Sequence, residues 1–179
     1  MKRKLVLVVL LAALLLGAAA AATADVRLDF DVPWLVAAGL NVETVTGSSS
    51  VNVDLTHFHI PLPYVMLAYQ FGDSEIRGGF GVRSYTVLIE FFGWPMGYVE
   101  AEFDKLVLRA ELGGFALFSF GVYNYMTLQS IVIPDLQVGY QLLPWLKLGV
   151  GMLIAAPLSD IRNNGWLFYV NARFTFDFK

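Results

Sequence analysis

The sequence predicts an all-β protein: a closed, antiparallel, up-and-down transmembrane β-barrel of about eight strands, behind an N-terminal signal peptide. Three observations predict it. Hydrophobic residues make up 57 % of the chain and charged residues 15 %, with a mean hydropathy of +0.61; soluble domains carry about a quarter charged residues. Beyond residue 24, apolar and polar residues alternate with period two over most of the chain, the signature of strands with one apolar face. Short turns and longer connections then follow one another in regular succession.

The first element is the leader. Lys2, Arg3 and Lys4 precede an apolar run from Leu5 to Leu16, then Gly17 and an alanine-rich stretch ending Ala22-Thr23-Ala24. A basic start, an apolar centre and a small-residue end are what a secretory signal peptide needs. Cleavage is expected before Asp25, leaving a barrel domain of residues 25–179. The alternative is an uncleaved anchor helix, since Leu5 to Ala22 is 18 residues long, enough to span. Removing 1–24 takes three basic residues and no acid, so nine basic and fifteen acidic residues leave a net charge of −6. An acidic chain without a basic cluster is a poor partner for nucleic acid. There is no cysteine, which excludes disulfides and a lipid anchor on an N-terminal cysteine.

The C-terminal strand is the clearest. Trp166, Phe168, Val170, Ala172, Phe174, Phe176 and Phe178 share one face, against Tyr169, Asn171, Arg173, Thr175 and Asp177. Its twelve steps of about 3.3 Å, tilted by roughly 40°, rise about 30 Å, the thickness of a bilayer core. Upstream, Val26, Leu28, Phe30 and Val32 alternate with Arg27, Asp29 and Asp31. Val65, Leu67, Tyr69 and Phe71 oppose Met66, Ala68 and Gln70, and Ile76, Phe80 and Val82 oppose Arg77, Gly79, Gly81 and Arg83. Val99, Ala101 and Phe103 oppose Tyr98, Glu100, Glu102 and Asp104, and Leu106, Leu108 and Leu112 oppose Arg109, Glu111 and Gly113. Leu136, Val138 and Tyr140 oppose Asp135, Gln137 and Gly139, and Leu146, Leu148, Val150 and Met152 oppose Lys147, Gly149 and Gly151.

Short turns are expected at 72–75, 104–105 and 143–145, and longer loops near 88–97, 114–134 and 155–164. Short turns on one side and longer loops on the other match a membrane barrel, and termini on the short-turn side require an even strand number, which eight satisfies. The first strand covers 26–32, or continues past Pro33 to Val42 with a loop at about 43–59. Closure follows from hydrogen bonding, because an open sheet edge in hydrocarbon leaves unpaired N–H and C=O groups costing several kcal/mol each. A helical reading of 98–112 would send charges around every face into lipid. Residues 112–134 carry no charge and are long enough for a membrane helix. Gly113, Gly114, Gly121 and Asn124 with many aromatic and β-branched residues favour the top of one strand, a loop around 123–129 and the start of the next. A soluble lipocalin-like barrel would need a polar outer face. Trp94, Trp145 and Trp166 fall at expected strand ends, where an indole ring sits at headgroup level.

These features resemble the small eight-stranded outer-membrane barrels of diderm bacteria. The resemblance rests on the leader, the hairpin Tyr140-Gln141-Leu142-Leu143-Pro144-Trp145-Leu146-Lys147-Leu148-Gly149 and the aromatic final strand. Pro61-Leu62-Pro63-Tyr64 and Arg77-Gly78-Gly79-Phe80-Gly81-Val82-Arg83 look like passages of uncharacterised spirochaete-type outer-membrane proteins. The resemblance covers the barrel as an architecture and implies folding by the barrel-assembly machinery into an outer membrane. It departs in one place: Lys179 follows Phe178, where the group's insertion signal ends on an aromatic residue.

An eight-stranded barrel is just wide enough for its inward side chains to fill it. Alternation sends Arg27, Arg77, Arg83, Arg109, Lys147 and Arg173 inward, against Asp29, Asp31, Glu100, Glu102, Glu111 and Asp177. Six of each sign predict mutual neutralisation and a hydrogen-bonded plug; an ion path needs an open bore and usually one dominant sign. The inward Gly79, Gly81, Gly139, Gly149 and Gly151 would leave room for long Arg and Glu side chains. The expected function is a structural or interaction barrel with outer-membrane lipids around it, and an envelope protein as partner through the apolar segments 88–95 and 115–125. The alternative is a lipid-modifying enzyme or a narrow channel. His57 and His59 share one face of an extended segment and are the candidates for a metal or, with Ser84, Ser119 or Ser130, for nucleophilic chemistry. No local motif supports either, and no cofactor is expected.

Overall fold

A computed structural model describes residues 25–44, 47–53, 61–87, 89–122 and 124–178. The leader (1–24), His57, His59 and Lys179 lie outside the described residues. Nine strand segments follow in chain order: β1 (Asp25–Thr44), β2 (Gly47–Val53), β3 (Tyr64–Gly72), β4 (Ile76–Val87), β5 (Glu90–Phe103), β6 (Leu106–Phe120), β7 (Tyr125–Leu143), β8 (Leu146–Pro157) and β9 (Gly165–Phe178). Every pairing is antiparallel, and β1 closes the ring on β9 from Val26↔Phe178 to Leu40↔Gly165. β3 pairs with the lower part of β1 (Asp31↔Tyr64) and β2 with its upper part (Ala38↔Val53), both on the edge away from β9. They form two pieces of one stave, so the barrel is closed and eight-stranded.

The polarity is inside out. Large apolar side chains of alternate positions are exposed on the outside, among them Leu67, Phe80, Val99, Leu108, Val138 and Val150. Inside, Arg27, Asp29, Asp31 and Glu100 have no exposed surface at all. The period-two pattern produces this directly, because successive Cβ atoms point to opposite faces and closure makes one face concave. Near the short turns, Trp145 stacks on Phe174 at 5.9 Å and the Lys105 ammonium lies 5.8 Å from the Tyr140 ring centroid. The turn after β3 is held by Asp73, whose Oδ1 accepts hydrogen bonds from the Glu75 and Ile76 N–H groups at 2.9 and 2.8 Å.

Of the two readings of the first strand, the longer holds: β1 continues past Pro33, as far as Thr44. Several other expectations are corrected. β2 occupies part of the stretch 43–59 expected as loop. Beyond Asp31 the ladder with β3 is reduced to an isolated bridge, Trp34↔Pro61, and one hydrogen bond from the Leu62 N–H to the Pro33 carbonyl at 2.8 Å, so Pro33, which has no N–H to donate, falls where the ladder is interrupted. The longer connections expected at 88–97 and 114–134 are mostly strand: β5 begins at Glu90, β6 runs to Phe120, and β7 begins at Tyr125, inside the stretch 123–129 expected as loop. The expected loop at 155–164 shrinks likewise, because β8 extends to Pro157. The aromatic and β-branched residues of these stretches continue the ladder, and a bulge at Gly114 (φ 105°) and Phe115 (φ 66°) lets β6 and β7 stay paired above it.

Trp94 is not an interfacial belt residue. It stands on the inward parity of β5 with Met96 and Tyr98, opposite Arg83; it is 8 % exposed and lies 5.3 Å from the Tyr85 ring. The space beside inward glycines is filled by rings as well as by charged chains. Gly79 sits opposite Tyr98 and Gly151 opposite Tyr169 in register, and a Cβ at either glycine would meet the tyrosine ring.

Candidate functional site: the charged lumen

Among the described residues, polar chemistry concentrates in the lumen. Ten charged residues are buried in it, five cations (Arg27, Arg83, Arg109, Lys147, Arg173) and five anions (Asp29, Asp31, Glu100, Glu111, Asp135). Each comes from an inward position of its strand, so closure brings together residues from seven of the eight staves. Asp135 is missing from the twelve-residue sequence set, although alternation places it inward opposite Leu136.

Glu100 is the centre of the lower network. Its carboxylate accepts from Arg27 (2.9 and 3.3 Å), Lys147 (2.9 Å) and Arg109 (3.5 Å), and lies 3.0 Å from Arg173 Nη2. Arg27 also donates to Asp29 at 2.9 Å and to Thr175 at 3.3 Å. Arg109 bridges upward, donating to Asp29 at 2.6 Å and approaching Glu111 at 2.5 Å. Such a cluster is stable only as a whole. Each ion has lost its water, and the loss is offset by several short, charge-assisted contacts.

Arg83 organises the upper network. It donates to Glu111 and to Asp135 (2.7 Å), and its guanidinium lies 4.3 Å from the Tyr64 ring centroid. Tyr169 donates to the other Asp135 oxygen at 2.6 Å. Asp31 is held without an ion pair among the described residues, accepting from Tyr64 Oη (2.8 Å) and Asn171 Nδ2 (2.7 Å). Its Oδ1 has no hydrogen-bond partner. Above lie Leu35, Tyr85, Trp94, Ile133 and Leu153, an apolar cluster also inside the barrel. Sequence reasoning missed this cluster and the tyrosines that tie it to the charges. The available signal was again parity, which places Tyr64, Tyr85, Tyr98 and Tyr169 on the inward face.

The remaining sequence-selected charges sit at the short-turn rim. Arg77 contacts Glu102 at 3.2 Å and Asp177 at 3.4 Å, and all three keep partial exposure; Glu102 also receives Lys147 at 2.5 Å. Hollows of about 620 and 510 Å³ lie on the outer wall, the first around Gly97 between Phe80, Leu112 and Phe115.

The three candidate serines do not converge. Ser119 is buried and donates to Glu90, Ser84 is half-buried on the outward parity of β4, and Ser130 is exposed. Among the described residues, no group of three or more His, Cys, Asp or Glu side chains is placed to hold a metal. Among the described residues, the arrangement supplies fixed, balanced charge without an excess of one sign.

No protein-family model matches the chain, and no curated protein matches it. Among solved structures it is similar to Neisserial surface protein A (NspA), with 12 % identity and a TM-score of 0.46, over 84 % of this chain and 97 % of that one. A likeness that distant does not bear on function.

Proposed function

We propose that the chain is an integral outer-membrane protein with a sealed lumen, acting as a structural or interaction element of the envelope. The observation that carries this reading is the five-against-five set of buried charges. A bore wide enough for hydrated ions would expose the side chains lining it, yet Arg27, Asp29, Asp31 and Glu100 have no exposed surface. The balance of signs also removes the single dominant charge that selects ions in open pores. Membrane insertion is supported by the apolar outer face and by strands long enough to cross a bilayer. Ring closure satisfies the ladder hydrogen bonds within the protein, as hydrocarbon requires. Export through a cleaved leader and folding by the barrel-assembly machinery complete the proposal.

Refolded protein in planar bilayers tests it. The expected result is no steady conductance, together with a heat-dependent gel shift showing that the barrel has folded. Reproducible ion-selective openings from protein that passes the gel test would reject the sealed lumen.

A further inference from the structure

The barrel wall is not the same height all round. β8, with 12 residues, rises about 28 Å at a tilt of roughly 40°, close to the apolar band of about 25 Å that a membrane barrel presents. β6, with 15 residues, rises about 35 Å on the same geometry, and β7 is longer still at 19. Pairing between β7 and β8 begins only at Ile131↔Pro157, so the hairpin of β6 and β7 stands above its β8 neighbour.

The projecting part is apolar on its outward face. Phe91 pairs with Phe120, Phe118 with Met126 and Ala116 with Leu128, while Phe92 and Leu117 of the other parity pack on the interior cluster. Ile89, Phe91, Phe120, Val122, Met126 and Leu128 are all exposed, Met126 at 75 % and Leu128 at 84 %. A second projecting hairpin, β1–β2, lies four staves away in the ring of eight, on the opposite side. Its sequence is polar, with Asn41, Glu43, Ser48, Ser49, Ser50 and Asn52. The connection after β8 is mixed, with Asp160, Arg162, Asn163 and Asn164 beside the exposed Leu158 and Ile161.

We infer that the barrel sits tilted in the membrane, with the outward face of the β6–β7 hairpin seated at the headgroup boundary of the leaflet on the long-connection side. This rests on the membrane reading proposed above. Lipid is the occupant because the exposed side chains along β6 continue the lipid-facing belt as apolar residues from Leu112 through Phe115 to Phe120, with the small polar Ser130 of β7 exposed beside them. Tilting toward this side lowers the apolar hairpin and lifts the polar one, so a single rigid-body adjustment suits both. The depth is bounded by the backbone. The edge of β7 at 125–129 has no β8 partner, and its N–H and C=O groups require the water of the headgroup layer.

The test uses single-cysteine spin labels, which need no background removal because the chain has no cysteine. Protein refolded in dimyristoylphosphatidylcholine vesicles is labelled at Met126→Cys, Leu128→Cys, Asn163→Cys and, on the outer wall nearer the short turns, Leu108→Cys, and collision with oxygen and with a water-soluble nickel chelate is compared. Labels at 126 and 128 should favour oxygen severalfold over the label at 163. Equal nickel access at 126, 128 and 163, with 108 still in lipid, would overturn the tilt and leave membrane insertion standing. Shielding of 126 and 128 from both reagents would mean a protein contact and would also overturn it. Nickel access at 108 would remove the membrane reading and the tilt together.

Discussion

Arg27 and Glu100 meet as a two-pronged pair inside the barrel, Nη1 to Oε1 at 2.9 Å and Nη2 to Oε2 at 3.3 Å, although 73 positions separate them in sequence. Both side chains are fully buried. Neither could be tolerated alone in such a place, and the pair is further enclosed by Arg109, Lys147 and Arg173. The lumen therefore behaves as one cooperative ionic unit, and variants within it should reveal that.

Glu100→Ala should destabilise the barrel by about 3–5 kcal/mol, the range for leaving buried charge uncompensated. Urea unfolding in vesicles, followed by gel mobility, measures it. Adding Lys147→Met to Glu100→Gln restores the balance of signs, so the double variant should be more stable than the sum of the two single losses predicts. Strict additivity would show that the charges act independently.

Arg83→Lys keeps the charge but loses the planar fork that reaches Glu111 and Asp135 while lying against the Tyr64 ring. A loss of about 2 kcal/mol is expected, the scale of one charge-assisted hydrogen bond. Unfolding of this variant beside the parent protein gives the figure.

Two glycines should respond oppositely to one methyl group. A Cβ at Gly79 would meet the Tyr98 ring and the Tyr69 carbonyl, whereas at Gly97 the nearest atom is 3.6 Å away. Gly79→Ala should cost about 1–3 kcal/mol as overpacking, and Gly97→Ala should stay within about 0.5 kcal/mol of the parent. The comparison is made by urea midpoint.

The turn after β3 carries a pH dependence. Hydrogen bonds from the Ile76 and Glu75 N–H groups hold the Asp73 carboxyl below its usual range. A depressed carboxyl contributes stability above its unfolded value and loses that contribution as pH falls through the folded one. Asp73→Ala should therefore be less stable than the parent at neutral pH, and the gap should close on acidification below about pH 4. Parallel unfolding curves from neutral to acid pH read the difference.

Much of the barrel was legible in the chain. Alternation assigned the face of Leu67, Arg83, Glu100 and Arg173 one residue at a time, because Cβ direction in a strand depends only on parity. The strand ends were less legible. Residues 90–97 and 115–120 are apolar enough for loop tips packed on a mouth, and only the presence of paired neighbours across the sheet turned them into ladder. Trp94 misled because its place near an expected strand end outweighed parity, which sets it inward with Met96, Tyr98 and Glu100.

The sequence by itself determined which side chains face inward and that their charges nearly cancel, since both follow from local alternation and counting. Only the tertiary structure decided which charge meets which, that Asp135 belongs with Arg83, that Glu100 is shared by four cations, and that Tyr64 and Tyr169 join the charged layer to the apolar one. Apart from Glu100 with Arg109, those contacts link positions 33 to 73 residues apart. They exist because closing the ring on a fixed register folds eight separate inward faces onto one axis, where charges too costly to bury singly become one another's solvent.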